Sequence, residues 1–242
     1  RGHTPLHTAC RSGASFDVIH ALLNNWTDAA KEKNIWGRRP LHVACRKGAS
    51  LDVIHALLCS WPHAVKEKSN SGYTPLHDAC YYGASFNVIH ALMRRWPDAV
   101  KEKDNWGHTP LHHASHTGAS VAVVQLLLDL WLEAVENRNI HSVESLIGEN
   151  TTSDVKNLLF HISSLFNEDQ SNPSLHEIMI FFISVNWWTG ALFVVSMYPT
   201  VTKTLNLHTK VIADYLSVVG KCCSLTTMTM VIQNEHDLLE GI

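Results

Sequence analysis

A period of 35 residues runs through the first 140 positions, and it limits the fold more than any other feature of the chain. Thr4-Pro5-Leu6-His7, Arg39-Pro40-Leu41-His42, Thr74-Pro75-Leu76-His77 and Thr109-Pro110-Leu111-His112 recur in step. Behind each come an alanine (Ala9, Ala44, Ala79, Ala114), a Gly-Ala-Ser triplet starting at 13, 48, 83 and 118, and a valine (Val18, Val53, Val88, Val123). Four copies in one register describe a structural unit that stacks on its own neighbours.

Each recurring position has a physical reading. Thr before Pro is an N-cap followed by a proline at the first helical position, where the missing N–H costs nothing. A first helix therefore starts at Pro5, Pro40, Pro75 and Pro110. About two turns later the glycine of Gly-Ala-Ser supplies a left-handed residue that ends it, and Ser15, Ser50, Ser85 and Ser120 can cap a second helix. In that second helix Val18, Ile19, Leu22 and Leu23 form one apolar stripe that should be buried. Trp61-Pro62 and Trp96-Pro97 stop it, because proline cannot continue a helix without losing a hydrogen bond. A polar stretch with a glycine just before the next Thr-Pro then marks a turn or hairpin.

The Gly-x-Thr-Pro-Leu-His-x-Ala run, followed by Gly and an apolar second helix, resembles the ankyrin repeat. The resemblance covers residues 1 to about 140 and implies an all-α solenoid of stacked helix-turn-helix units at 1–35, 36–70, 71–105 and 106–140. The usual ankyrin period is about 33 residues. The surplus falls on either side of the second helix, which places the loop geometry outside the usual pattern.

From residue 141 the signature is lost, yet a weaker register continues. Val143 and Val155 keep the spacing of Leu111 and Val123; Tyr198-Pro199-Thr200-Val201 echoes Trp96-Pro97-Asp98-Ala99; Gly220 to Ser224 ahead of Val231-Ile232 echoes Gly83 to Ser85 ahead of Val88-Ile89. Residues 141–242 therefore read as degenerate helix pairs that continue the stack and cap it, since a terminal unit must hide one face from water. The rival reading is a membrane anchor at 179–198, a stretch without charge and about long enough to span a bilayer. Asn186, Thr189, Gly190 and Ser196 interrupt it, and Trp187-Trp188 would sit mid-bilayer, which favours a buried pair of helices. Asn167 to Pro173 reads as an exposed loop.

Composition narrows the function. Apolar content of 45% with 17% charged residues is globular. Residues 1–140 carry 15 Lys+Arg against 12 Asp+Glu, and 141–242 carry 4 against 10, so neither part resembles a nucleic-acid binder. Six cysteines, three of them on the repeat spacing, argue against a disulfide framework or zinc site and favour a reducing, intracellular location, cytoplasmic or nuclear. The chain starts inside a motif without an initiator methionine and reads as part of a longer protein.

The ladders His7, His42, His77, His112 and His20, His55, His90 suggest metal binding at first sight. Stacked units lie roughly 10 Å apart, too far for equivalent side chains to share one ion, so no metal and no cofactor is expected; the resemblance makes the first ladder structural. Ser85 with His90, or Cys80 with His77, recur in several units, whereas a catalytic constellation should occur once, so no enzyme is expected. What differs between copies is more informative. Arg11, Arg46-Lys47, Tyr81-Tyr82 and His116 end the first helices; Trp36 with Arg38, Tyr73, and Trp106 with His108 sit at the turns; His113 follows Leu-His. The resemblance puts these positions on the concave groove through which ankyrin-like proteins hold partner proteins, and Tyr, Trp and Arg dominate binding energy at interfaces. The expectation is a monomeric scaffold or adaptor that grips another protein.

Overall fold

The computed structural model describes residues 2–167, 172–198 and 201. It divides into two compact units, residues 1–156 and 157–242. All regular elements among the described residues are helical.

The first unit holds four helix pairs: α1 (Pro5–Ser12) with α2 (Phe16–Asn25), α3 (Pro40–Arg46) with α4 (Leu51–Ser60), α5 (Pro75–Tyr81) with α6 (Phe86–Arg95), and α7 (Pro110–His116) with α8 (Val121–Trp131). The first helices pack side by side as an inner layer and the second helices as an outer one. Pro5, Pro40, Pro75 and Pro110 occupy the start of the inner helices, and Gly13, Gly48, Gly83 and Gly118 follow them in the left-handed conformation, with φ of 71, 65, 68 and 78°. The serines of Gly-Ala-Ser do stand at the N-cap of each outer helix with extended backbone, but their hydroxyls make no capping bond.

The connection that follows the outer helix is regular in the first three units. Trp26, Trp61 and Trp96 end the outer helices by donating their backbone N–H to Leu22, Leu57 and Leu92, and a 3-10 turn follows at Thr27–Lys31, Pro62–Lys66 and Pro97–Lys101. Its two small residues, such as Ala64-Val65 and Ala99-Val100, are buried. Each of these three units thus has a second buried anchor behind its outer helix.

Burial of the outer stripe corrects the sequence reading at one end. Val53, Val88 and Val123 are buried, but Val18 is 47% exposed. No described helix pair packs on the outer side of α2, so the same residue type meets water there.

Successive units are joined through the histidine ladder. In the first unit the Thr4 N–H donates to His7 Nδ1 (3.3 Å), which leaves the ring proton on Nε2, where it is given to the Arg38 carbonyl at 3.0 Å. His42 and His77 repeat this towards the carbonyls of Tyr73 (3.0 Å) and His108 (3.2 Å). At His112 the acceptor is instead the hydroxyl of Ser145, 3.1 Å away, because α9 (Ile140–Glu144) replaces the next hairpin turn. Burial depresses these imidazoles, His42 to about 3 and His77 and His112 to about 4.

Past α9, the described helices are α10 (Ser153–Ser164), α11 (Leu175–Ser184) and α12 (Trp188–Met197). Val143 and Val155 are buried, as their register requires. The uncharged stretch 179–198 is two helices, broken at Asn186, whose φ is 54°. Trp187 is buried with its indole over Gly190, leaving no room for a Cβ there. No described helix is long and apolar enough to cross a membrane. Tyr198 ends α12 as Trp96 ends α6, by donating its N–H four residues back. Residues 168–171 of the expected loop, Pro199-Thr200, and the 220–232 echo lie outside the described residues.

Candidate partner-binding surface

The inner face of the first unit is built from hairpin turns and the exposed side of α1, α3, α5 and α7. Each turn opens on a short, buried polar side chain: Asn34, Ser69 or Asp104. Asn34 Oδ1 accepts the N–H groups of Trp36 and Arg38 (both 3.0 Å), and Asp104 Oδ1 those of Trp106 and His108 (both 2.9 Å). The next turn docks on the last through Asn70, whose backbone N–H reaches the Trp36 carbonyl, and Asn105, whose backbone N–H reaches that of Ser71. Gly37 (φ 70°) and Gly72 (φ 78°) are required twice over, since a side chain there would strike Asn70 or Asn105.

This scaffold gathers the twelve candidate residues into two groups. Arg11, Trp36, Arg38, Arg46 and Lys47 line one open cleft of about 340 Å³. Trp36 is 43% exposed. Among the described residues no carboxylate forms an ion pair with Arg11, Arg46 or Lys47, and Asn34 Nδ2, also lining the cleft, is buried without an acceptor. Three cations of the cleft wall, Arg11, Arg46 and Lys47, are therefore left without an ion-pair partner, while Arg38 is spent on Asp78.

The second group is aromatic. Tyr73 lies against Tyr81, Trp106 and His113 with ring centres 5.0 to 6.2 Å apart, a spacing at which edge and offset contacts are favourable. Trp106 is 65% exposed, and Tyr81 and Tyr82 remain open to solvent. Arg46 joins the groups by placing its guanidinium over the Tyr82 ring at 4.5 Å. Two candidates differ from the expected surface role: Tyr73 and His113 are buried, so they form the floor on which their neighbours stand. His116 points its Nε2 at the Ser145 carbonyl (3.2 Å) and touches His108.

Two buried carboxylates lie beneath this face. Asp78 has a fully covered side chain, one contact to Arg38 Nε at 3.3 Å, and an Oδ1 that accepts no hydrogen bond. Burial pushes its carboxyl up to about 6, although Arg38 pulls the other way. Asp104 is also pushed up by burial, but bonds from His113 (2.8 Å to Oδ2) and from the His108 and Trp106 backbone outweigh this and hold it below the ordinary value. With His108 Nδ1 3.9 Å from the same oxygen, Asp104, His108 and His113 are a group that could hold a metal. Asn34 and Asp104 were not singled out from sequence, although three short polar residues 35 apart, each three positions ahead of a turn glycine, carry the signal.

The family model described as ankyrin repeats (3 copies) matches residues 1–69 and 48–134, more than half of the chain. The chain is an ankyrin repeat protein. No curated protein matches it. The inner face just described is the turn-and-helix side of the ankyrin array, and ankyrin repeats are in general modules of protein–protein interaction. The buried Cys10, Cys45 and Cys80 fill small core positions of the array, and burial raises their thiols, that of Cys10 to about 12, the opposite of what a nucleophile needs.

Proposed function

We propose that this ankyrin array is a non-enzymatic scaffold or adaptor that holds an acidic, extended segment of a partner protein along its concave surface. Arg11, Arg46 and Lys47 receive the acidic side chains; Trp36, Tyr81, Tyr82 and Trp106 supply the apolar contact area; Arg38, Tyr73, His108, His113 and His116 keep these residues in place. The observation that carries this reading is a cleft in which Arg11, Arg46 and Lys47 have no ion-pair partner among the described residues, linked to the exposed rings by Arg46 lying over Tyr82. Unpaired cations beside large rings are the residue types that concentrate binding energy. Free thiols at Cys10, Cys45, Cys59 and Cys80 support a reducing, intracellular setting, cytoplasmic or nuclear. The array acts as a monomer, with neither nucleic acid nor membrane as its partner.

The test is fluorescence anisotropy with a labelled extended peptide of alternating Glu and Leu. Arg11→Glu with Lys47→Glu should abolish binding, and Tyr81→Ala with Tyr82→Ala and Trp106→Ala should weaken it at least tenfold, with the helical circular-dichroism signal unchanged. Equal binding by all variants would remove the surface assignment.

A further inference from the structure

Equivalent residues of successive units do not converge, and that is why the sequence reading finds no metal site. The structure instead joins three inequivalent residues of one unit boundary. Asp104 opens the third turn, His108 closes it, and His113 sits on α7; one ligand atom from each lies within 4.8 Å of the others. We propose that Asp104, His108 and His113 bind a divalent transition-metal ion of the zinc class, which clips this turn to the inner helix.

The donor set suits such an ion: two imidazole nitrogens and one carboxylate oxygen are a common zinc combination, with an open fourth position for water or a partner's side chain. The spacing suits it as well. Bonds of ~2 Å at tetrahedral angles set ligand atoms about 3.3 Å apart, and the 2.8 Å from His113 Nε2 and 3.9 Å from His108 Nδ1 to Asp104 Oδ2 lie on either side of that value. Small side-chain rotations close the difference.

The ligands are also held from behind, as metal ligands usually are. Asp104 Oδ1 is fixed by two backbone N–H groups, so Oδ2 is left to face the imidazoles. The carbonyl of His108 is gripped by His77 of the preceding unit. His113 is packed by Tyr73, Tyr81 and His77. Access is provided by one side only: the side chains of Asp104 and His113 are 0% and 9% exposed, that of His108 46%. Binding shifts the proton of neutral His113 from Nε2 to Nδ1, so the Nε2 lone pair is freed with no net proton released. His112 and His116 spend their Nε2 atoms on Ser145 and take no part.

The other units show that this set is particular to one boundary. At the position of Asp104 they carry Asn34 and Ser69; at that of His108, His3, Arg38 and Tyr73; at that of His113, Thr8, Val43 and Asp78. These residues also supply fold-preserving substitutions. Asp104→Asn keeps the Oδ1 acceptor that Asn34 provides, and His113→Val installs the side chain that α3 carries.

The experiment is titration of the metal-stripped full chain with Zn2+ under reducing conditions, read by calorimetry and by thermal unfolding, beside Asp104→Asn, His113→Val and the exposed-surface control His90→Ala. The wild type and the control should bind one equivalent that is lost in His113→Val and at least tenfold weaker in Asp104→Asn, with saturation raising Tm by about 5 °C. All variants should keep the wild-type circular-dichroism spectrum. An equal number of bound zinc ions in wild type and His113→Val, or no zinc bound by the wild type, would overturn the proposal and leave the group as a hydrogen-bonded support of the turn.

Discussion

The two buried carboxylates of the inner face show how differently one fold can treat the same functional group. Asp78 and Asp104 both have side chains with no solvent contact. Asp78 is met by one Arg38 nitrogen at 3.3 Å and has an oxygen without a donor, so burial dominates and its carboxyl rises to about 6. Asp104 receives two backbone donors and an imidazole, and its carboxyl falls. Burial of a carboxylate is thus costly or tolerated according to how many donors it meets, and the turn that folds back on the Asp104 side chain presents two from its backbone.

Acidification acts first on the buried imidazoles that surround the two carboxylates. His42, His77 and His112 are depressed from 6.5 to about 3, 4 and 4. Below 6.5 the unfolded chain takes up protons that the folded chain refuses, so stability is complete above that value and is lost as pH falls towards 4. Each depressed imidazole contributes at about 1.4 kcal/mol per pH unit below 6.5, so the three together steepen the acid limb of the stability curve. Urea midpoints measured from pH 7 to pH 4 should fall steeply, and replacing His42 by Gln should flatten that slope.

The next largest effect separates the carboxylates. Asp104→Ala strips two backbone N–H groups of their acceptor and should cost about 3 kcal/mol at neutral pH, whereas Asp104→Asn should recover most of it. A loss of similar size in both variants would show that the charge, not the turn geometry, matters there.

Asp78 should behave in the opposite way with pH. Between 3.8 and about 6 its native form holds a proton that the unfolded chain releases, so its contribution to stability falls as pH rises through that window. Subtracting the urea series of Asp78→Asn from that of the wild type should expose a difference of roughly 2 to 3 kcal/mol across the window. For Asp104 the sign reverses: its contribution is present above 3.8 and is lost as pH falls through the lowered native value. Smallest of all, Arg11→Ala with Lys47→Ala should shift stability by less than about 0.5 kcal/mol, because neither side chain is paired, while removing affinity for the acidic peptide.

The legibility of the molecule follows the same division. The caps of the inner helices, the turn glycines, the prolines that start the inner helices and the Trp-Pro pairs that end two of the outer ones were readable because each acts within a few residues of itself. Val18, by contrast, has the same neighbours in sequence as Val53 and opposite exposure, since burial depends on what stacks against the unit. The capping role of Ser15 and its equivalents was misread for a related reason: the position is set locally, but the hydroxyl bond is not made.

By itself the 35-residue pattern determined that this chain makes stacked helix pairs, where they begin and end, and that their differences would lie on the turns and inner helices. Tertiary structure alone decided that Arg38 meets Asp78 forty residues on, that Tyr73 and His113 sink beneath the surface they were expected to form, and that Asp104, His108 and His113 face one point. Periodicity fixes where a side chain sits on its own helix or turn. Which side chains share a volume depends on the offset between stacked units, and that offset is set by the hydrogen bonds and packing that join them.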